Sequence, residues 1–304
     1  MLSRRPWRTA YDADAIDVTL RPSKAGEPAT DSARRRRTTL QGMVCASLRE
    51  GLMVGAFVPG QTVTLRKLAG AVGTSPMPVR DAVNQLIAAS ALELLPNRSI
   101  SVPRMTRSRF RELTRVRVVL EGLATQEACR RANDRLVRRL DRINDELTKA
   151  IAARDLFRCL QKNRAFHFTL YAASSWAVLL PLIETLWLQV GPFMYLSLAT
   201  PGVRWNASQH RAVLSALRRK DRAAARRAIE NDVGETARYL SSIIGFDGER
   251  LNLPILSRHP LALKRVDRRP AKGRARARET SPDVVGHRPS TPPQHRRVMP
   301  TGRS

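Results

Sequence analysis

Apolar residues recur at helical spacing along two short stretches on either side of a tight turn near residue 73. The first stretch has an apolar face of Leu65, Leu68, Ala69 and Val72, and the second has one of Val79, Ala82, Val83, Leu86 and Ile87. Both spacings predict helices. Gly73 suits the end of the first helix, because glycine adopts the left-handed conformation without steric cost. The pattern therefore predicts a helix-turn-helix, with an ordinary helical hairpin as the alternative.

The second of these helices exposes polar and basic residues at its start. Ser75 suits the capping position, and Pro76 suits the first helical position, where its missing N–H group is harmless. Met77, Arg80 and Asn84 lie off the apolar stripe, so we expect them to face outward. A second helix with an exposed basic N-terminal half is typical of proteins that read DNA in the major groove.

Elements on both sides extend this unit into a winged helix. The stretch from about residue 38 has helical spacing at Leu40, Met43, Val44, Leu48 and Leu52. Beyond residue 90, two short apolar runs are separated by a polar turn, which predicts a small β-hairpin, the wing. Arg98 at the tip of the hairpin is suited to contact a DNA phosphate or the minor groove, or is simply a solvated surface arginine.

The chain from residue 108 to about residue 240 is almost wholly helical in pattern. We predict six helices, at 108–132, 134–153, 155–173, 176–198, 206–219 and 221–243. The fold class is therefore mostly α, an all-α bundle after the winged helix. Residues 176–200 are apolar enough to resemble a membrane span, but Glu184 in the middle of a lone span costs roughly 2.5–3.5 kcal/mol. A helix buried in the bundle explains them better, so no membrane is expected.

Charge and composition indicate the kind of binding partner and the domain boundaries. The formal net charge of +28 over 304 residues favours a polyanion, nucleic acid before membrane. Residues 1–37 and 245–304 are polar and basic, which predicts disordered tails that add non-specific DNA affinity or are merely solvated. The DNA-binding domain is expected at 38–104 and the bundle at 105–244. Three widely spaced cysteines without a CxxC motif suit a reducing, cytoplasmic location.

Four polar residues of the bundle occupy positions where the helical stripes require apolar ones: Asn163, His167, His210 and Asp232. A buried polar group without a partner costs about 1–3 kcal/mol. One solution is that the four meet around a divalent metal, for which their donor types suit Zn, Ni, Fe or Mn. The alternative is a set of unrelated core residues, each with its own hydrogen-bond partner.

Linked motifs then resemble a known family. The segments Gly55-x-Phe57-x-Pro59-Gly60 and Gly73-Thr-Ser-Pro-Met-Pro-Val-Arg-Asp-Ala-Val83 resemble the N-terminal domain of GntR-family transcription regulators over about residues 40–103. The resemblance implies a winged helix that binds operator DNA as a homodimer. It places the DNA-contacting positions at Arg66, Ser75, Pro76, Met77 and Arg80. The family commonly has arginine and threonine in place of Pro76 and Met77. Since proline cannot hydrogen-bond guanine, base reading is expected to rest more on Arg66 and Arg80.

The bundle carries a second resemblance. The motifs Arg117-x-x-Leu120-Glu121, Asn163-x-x-x-His167 and Gln209-His210-x-x-Val213-Leu214 are similar to the FCD ligand-binding domain of the FadR subfamily. The resemblance implies a metal held by Asn163, His167, His210 and Asp232, although the family commonly has Asp and His at the first and last of these positions. It also implies a small carboxylic acid as effector, paired with Arg117. The alternative role of Arg117 is a salt bridge with Glu121, four residues on.

The expected function is a dimeric transcription regulator that responds to a ligand and is not an enzyme. A metal-dependent hydrolase that uses His167, His210 and Asp232 is an alternative from another class, but no HExxH or nucleophile motif accompanies these residues. A second alternative is a DNA-binding protein that binds through charge alone, without a preferred sequence.

Overall fold

The computed structural model describes residues 29–199, 206–244, 263, 265 and 266. Most of the two predicted tails, including residues 1–28 and 268–304, lies outside the described residues. The elements in chain order are α1 (Ala29–Met53), β1 (Thr62–Val63), α2 (Leu65–Val72), α3 (Pro76–Ala88), β2 (Glu93–Leu94), β3 (Ile100–Ser101), α4 (Arg107–Arg131), α5 (Asp134–Ala152), α6 (Leu156–Ala172), α7 (Leu179–Ala199), α8 (Ser208–Arg218) and α9 (Arg222–Ile243).

Helices α2 and α3 form the predicted helix-turn-helix. The Thr64 side chain caps α2 by accepting from the Lys67 N–H group, and Gly73 ends that helix with a φ of 74°. Ser75 occupies the capping position of α3, but the prediction that its side chain accepts a capping hydrogen bond is wrong. A capping side chain bonds the second or third helical N–H group, and one of these two partners is absent because the third helical residue is Pro78.

The wing is a three-stranded antiparallel sheet in the order β1-β3-β2, in which Ile100 pairs with Val63 on one side and Leu94 on the other. The predicted hairpin of β2 and β3 is confirmed. Strand β1 was not predicted, because two residues are too short to show an alternating pattern. Arg98 lies in the turn between β2 and β3 with a φ of 61°.

Helix α1 begins nine residues earlier than predicted. Residues 29–37, which the sequence assigns to a disordered tail, form the first turns of this helix. Alanine and arginine are strong helix formers, and a helix that is already nucleated lengthens at little cost. The arginine run at 34–37 is therefore part of a helix.

The bundle consists of α4 to α9, with bounds within a few residues of those predicted. Helix α4 packs on α9, α5 on α6, and α8 on α9. Among the described residues, Leu179–Leu198 is the one helix that is long and apolar enough to cross a membrane. However, 67% of its most apolar stretch is buried inside the protein. Helix α7 is thus the apolar core helix of the bundle.

Among the described residues, the winged helix and the bundle share one continuous core. The end of α1 lies against α7, where Gly191 directly contacts the Leu52 carbonyl oxygen. An ion pair of 2.8 Å joins Arg49 to Glu184 at the same interface. Part of the predicted C-terminal tail is also ordered against this core, because Val266 is buried and its N–H group donates to the Val72 carbonyl.

Candidate functional site

The outward face of the helix-turn-helix is basic and exposed. Arg66, Ser75, Pro76, Met77 and Arg80 are all exposed, so every predicted DNA-contacting residue of this unit is open to solvent. Within the described part of the chain, Arg66 and Arg80 form no ion pair. Their guanidinium groups are therefore available to phosphates and guanine edges.

The only acidic residue between Thr64 and Asn84 is held away from this face. Asp81 is half-buried, and its carboxylate accepts a 2.5 Å hydrogen bond from the Gln41 side chain of α1. Arg98 is exposed at the wing tip, as predicted. The helix-turn-helix and the wing together offer three arginines that can meet the DNA backbone or bases.

In the bundle, three of the predicted ligands converge. The Nε2 atom of His167 on α6 lies 3.2 Å from the Asp232 carboxylate of α9 and 3.3 Å from the Nε2 atom of His210 on α8. The Asp232–His210 separation is 3.9 Å. Both histidines are buried, and His210 is oriented by stacking on Phe166 with a centroid distance of 3.9 Å.

These residues line one cavity of about 230 Å³ between the helices. Asn163 and Arg117 line the same cavity, so all five residues predicted for the ligand and metal site share it. Trp187, Met194 and Gln209 are further lining residues that the sequence did not single out. The cavity is polar on the side of α8 and α9 and apolar on the side of α7.

Hydrogen bonds fix the tautomer of His167. The buried Tyr171 hydroxyl donates to the Glu121 carboxylate at 2.5 Å, and it lies 2.7 Å from Nδ1 of His167. Burial and the neighbouring Glu121 carboxylate raise the pKa of Tyr171 well above its ordinary value, so the hydroxyl keeps its proton. Since that proton is committed to Glu121, Nδ1 of His167 must donate to the tyrosine oxygen. In the neutral ring, Nε2 then carries a lone pair that points to Asp232 and His210.

The cluster combines a neutral imidazole with a carboxylate whose pKa is lowered. Burial lowers the pKa of His210 to about 3, so this ring is neutral at physiological pH, and its buried Nδ1 atom has no described partner. Burial opposes ionisation of Asp232, but a proton taken up at Nε2 of His167 is donated to this carboxylate, and that interaction outweighs burial and lowers the pKa of Asp232. A carboxylate and two imidazole nitrogens within 4.8 Å of one another suit a divalent metal ion.

Arg117 makes the salt bridge that was the alternative to effector binding. Its Nε atom donates to Glu121 at 2.6 Å, and its guanidinium lies 5.0 Å above the Trp187 ring. Arg117 nevertheless lines the cavity, so the salt bridge and access to a ligand coexist. Glu121 was predicted only as the alternative salt-bridge partner of Arg117, and Tyr171 and Trp187 were not predicted as part of the site. The spacing of four residues from His167 to Tyr171 is the one signal for Tyr171, and no sequence signal marks Trp187.

Comparison with known proteins places both halves of the chain. Residues 40–102 match the bacterial regulatory proteins of the gntR family, and residues 112–234 match the FCD domain. The HTH-type transcriptional regulator McbR of Escherichia coli is 28% identical over 205 residues, which cover 66% of this chain and 92% of McbR.

Solved structures agree with this assignment. The structure of E. coli McbR/YncC has a TM-score of 0.63 at 26% identity and covers 67% of this chain and 97% of its own. A GntR-type putative transcriptional regulator from Rhodococcus sp. RHA1 has a TM-score of 0.56 at 19% identity, over 69% of this chain and 100% of its own, and supports the fold alone.

Proposed function

Because the chain belongs to the GntR family of bacterial transcription regulators and carries an FCD domain, we propose that a small carboxylic acid in its bundle cavity controls its binding to operator DNA. The observation that carries the proposal is the shared cavity, in which Arg117 and the His167–His210–Asp232 cluster face the same 230 Å³ space. A guanidinium and a cluster of metal ligands are the groups that recognise a carboxylate. The cavity volume suits a small acid rather than a lipid or a peptide.

A divalent metal completes this site in the proposal. His167, His210 and Asp232 supply two nitrogen atoms and one oxygen, and the amide oxygen of Asn163 is a fourth donor on the same wall. Aspartate at 232 in place of the family's usual histidine, and asparagine at 163 in place of aspartate, leave one carboxylate in the set. When bound, the metal supplies a positive centre for a carboxylate oxygen of the effector. Tyr171 and Glu121 hold the ring of His167 in the orientation that a metal needs.

Operator DNA is bound by the winged helix in this proposal. Arg66 and Arg80 read bases, while Ser75, Pro76 and Met77 contact the groove and Arg98 meets a phosphate or the minor groove. The support is the exposure of all six side chains and the engagement of Asp81, the one acid of the α2–α3 unit, by Gln41. The metal-dependent hydrolase that the sequence left open has no further support, and the family membership favours a binding role without turnover.

We propose a homodimer in the cytoplasm. Val116 and Val119 of α4 are 45% and 54% exposed, and Leu182 is 49% exposed on α7, which packs against α4. Exposed apolar side chains on adjoining helices are typical of a protein interface. A twofold dimer presents two α3 helices to two operator half-sites. The cytoplasm is supported by three free cysteines and by the bacterial regulators that the chain resembles.

Helix α7 is the route by which the effector acts on the DNA-binding domain. Trp187 and Met194 of α7 line the cavity, and Gly191 between them contacts the end of α1. Helix α1 packs in turn on α3, the helix that carries Arg80. An effector that shifts Trp187 therefore favours one placement of the DNA-binding domain over another.

The test adds small mono-, di- and hydroxycarboxylic acids, one at a time, to the full-length protein. It measures the melting temperature of the protein and its affinity for a DNA duplex selected from a random-sequence pool. We expect at least one acid to raise the melting temperature and change DNA affinity. Arg117→Ala should lower the affinity of the protein for that acid by about tenfold or more, since a hydrogen bond to a charged group contributes about 1.5–3 kcal/mol. Arg117→Lys should rescue binding only in part, because lysine lacks the planar fork.

Arg226→Ala is the control, because Arg226 also pairs with a glutamate four residues on, Glu230, at 2.7 Å, but this pair is partly exposed and lies outside the cavity. It should bind the acid as the wild type does. If Arg117→Ala folds normally and keeps wild-type affinity for the acid, the assignment of Arg117 is refuted. If no acid in the set affects the wild type, the carboxylate class itself is refuted.

A further inference from the structure

Three residues beyond the bundle lie on the DNA-binding domain. Val266 is 8% exposed, and its N–H group donates to the Val72 carbonyl oxygen of α2 at 2.9 Å. Leu263 packs against the core beside Gly51 of α1. The described part of this segment therefore contacts both α1 and the end of α2.

The backbone hydrogen bond of Val266 is directed at a helix end that needs a partner. The last carbonyl groups of a helix receive no hydrogen bond from within the helix itself. The Gly73 N–H group turns back to the carbonyls of Ala69 and Gly70, which leaves the Val72 carbonyl for Val266. This bond fixes the backbone of Val266 at the end of α2, and Arg265 directly precedes Val266 in the chain.

Arg265 is exposed and lies over the turn of the helix-turn-helix. Its Nε and Nη2 atoms are 3.3 and 3.4 Å from the position that a Cβ atom on Gly73 would occupy. Glycine at 73 therefore gives room to the guanidinium as well as allowing the left-handed turn. Within the part of the chain that the structure describes, Arg265 has no ion-pair partner.

We propose that Arg265 binds a backbone phosphate of double-stranded DNA next to the turn between α2 and α3. The turn leads directly into α3, so a group on it faces the backbone that flanks the groove. Arg66, Lys67 and Arg80 are exposed on the same unit, and its one acid, Asp81, is engaged by Gln41. A guanidinium fork matches a phosphate, whereas its position beside the turn rather than on α3 does not suit base reading.

This contact is separate from the family's own domains, because residue 265 lies outside both matched regions, 40–102 and 112–234. The C-terminal segment thus supplies part of the DNA-binding surface from the far end of the chain. The proposal rests on DNA binding by the α2–α3 unit. The selected duplex tests sequence preference, and a scrambled duplex of the same composition tests Arg265 independently of that preference.

The test compares the salt dependence of DNA affinity for the full-length wild type and Arg265→Ala on both duplexes. Loss of one phosphate contact lowers the slope of log affinity against log salt by about 0.9. We expect that decrease and a several-fold loss of affinity on both duplexes, with the preference for the selected duplex unchanged. Arg265→Lys should keep the wild-type slope. The control is Arg139→Ala on α5, an exposed arginine of the bundle, which should change neither quantity.

Two results would overturn the proposal. One is an Arg265→Ala protein with wild-type affinity and slope. The other is a loss of affinity without a change in slope, which would mean that Arg265 acts through packing alone. If the wild type binds both duplexes equally well, sequence-specific reading is refuted instead. The difference in salt slope between the wild type and Arg265→Ala on the scrambled duplex would still decide the role of Arg265.

Discussion

His167 stands in a chain of polar contacts that runs through the bundle from Arg117 to Asp232. Arg117 donates to Glu121, Tyr171 donates to the same carboxylate, and His167 donates to Tyr171. The far nitrogen of His167 is thereby left as an acceptor beside the Asp232 carboxylate. Two acceptors at 3.2 Å repel one another unless a proton or a metal ion lies between them, and the additional nitrogen of His210 favours the metal.

The metal content of the protein tests this arrangement. Protein purified without a chelator should carry about one divalent ion per chain, measured by elemental analysis. His167→Ala should lose most of the ion, because it removes the central donor of the cluster. Tyr171→Phe should weaken metal affinity by about tenfold to a hundredfold, since it removes the group that fixes the His167 ring.

The matched control for metal content is Asn144→Ala on α5, which alters a buried polar residue outside the cavity lining. This variant should keep the ion, because Asn144 contributes no donor atom to the cluster. A wild-type protein without metal that binds its acid normally would show that the pocket recognises the acid through Arg117 alone.

Helix α7 connects the cavity with the DNA-binding domain through a very close backbone contact. A Cβ atom on Gly191 would overlap the Leu52 carbonyl oxygen and lie 2.7 Å from the Met53 Cα atom. These are backbone atoms of α1, which cannot move aside as the end of a side chain can. Glycine at 191 therefore permits the two helices to touch.

Gly191→Ala is expected to lower the free energy of unfolding by about 1–3 kcal/mol, the usual cost of overpacking. Urea denaturation measures it. Gly234→Ala on α9 is the control, because the nearest side-chain atom to its added Cβ is Arg238 Nη1 at 3.7 Å. In a helix interior that exchange is neutral or stabilises by up to about 1 kcal/mol. Equal stabilities of the two variants would mean that α1 and α7 are not held at this distance.

The sequence predicted whole elements better than the contacts between them. Apolar spacing located α2 to α9 within a few residues, because each helix must bury one face. The start of α1 was missed because a helix can extend on propensity alone. Strand β1 and the docking of Val266 were missed because each depends on one or two backbone hydrogen bonds, which leave no periodic signal.

Helical spacing likewise predicted which residues form the site, but not the contacts between them. Asn163, His167, His210 and Asp232 interrupt apolar stripes, and the structure brings all four to one cavity. The sequence could not show that Tyr171 and Glu121 set the tautomer of His167, because that depends on distances between α4 and α6. Trp187 belongs to an apolar helix in which nothing distinguishes it from core packing.

For the molecule as a whole, charge and geometry assign complementary roles. A net charge of +28 attracts DNA of any sequence, and the salt dependence of binding should be steep. Sequence preference must come from the few side chains that reach base edges, and Arg80 on α3 is the main one in this account. Pro76 cannot share that role, because it has no hydrogen-bond donor.

The most direct measurement is a footprint of the full-length protein, at physiological salt, on DNA enriched from a random-sequence pool. We expect one protected sequence with two symmetric half-sites for the wild type. Arg80→Ala should keep its melting temperature but bind that sequence no better than a scrambled duplex. A wild type that enriches no sequence, or an Arg80→Ala protein that keeps the full preference, would contradict the account.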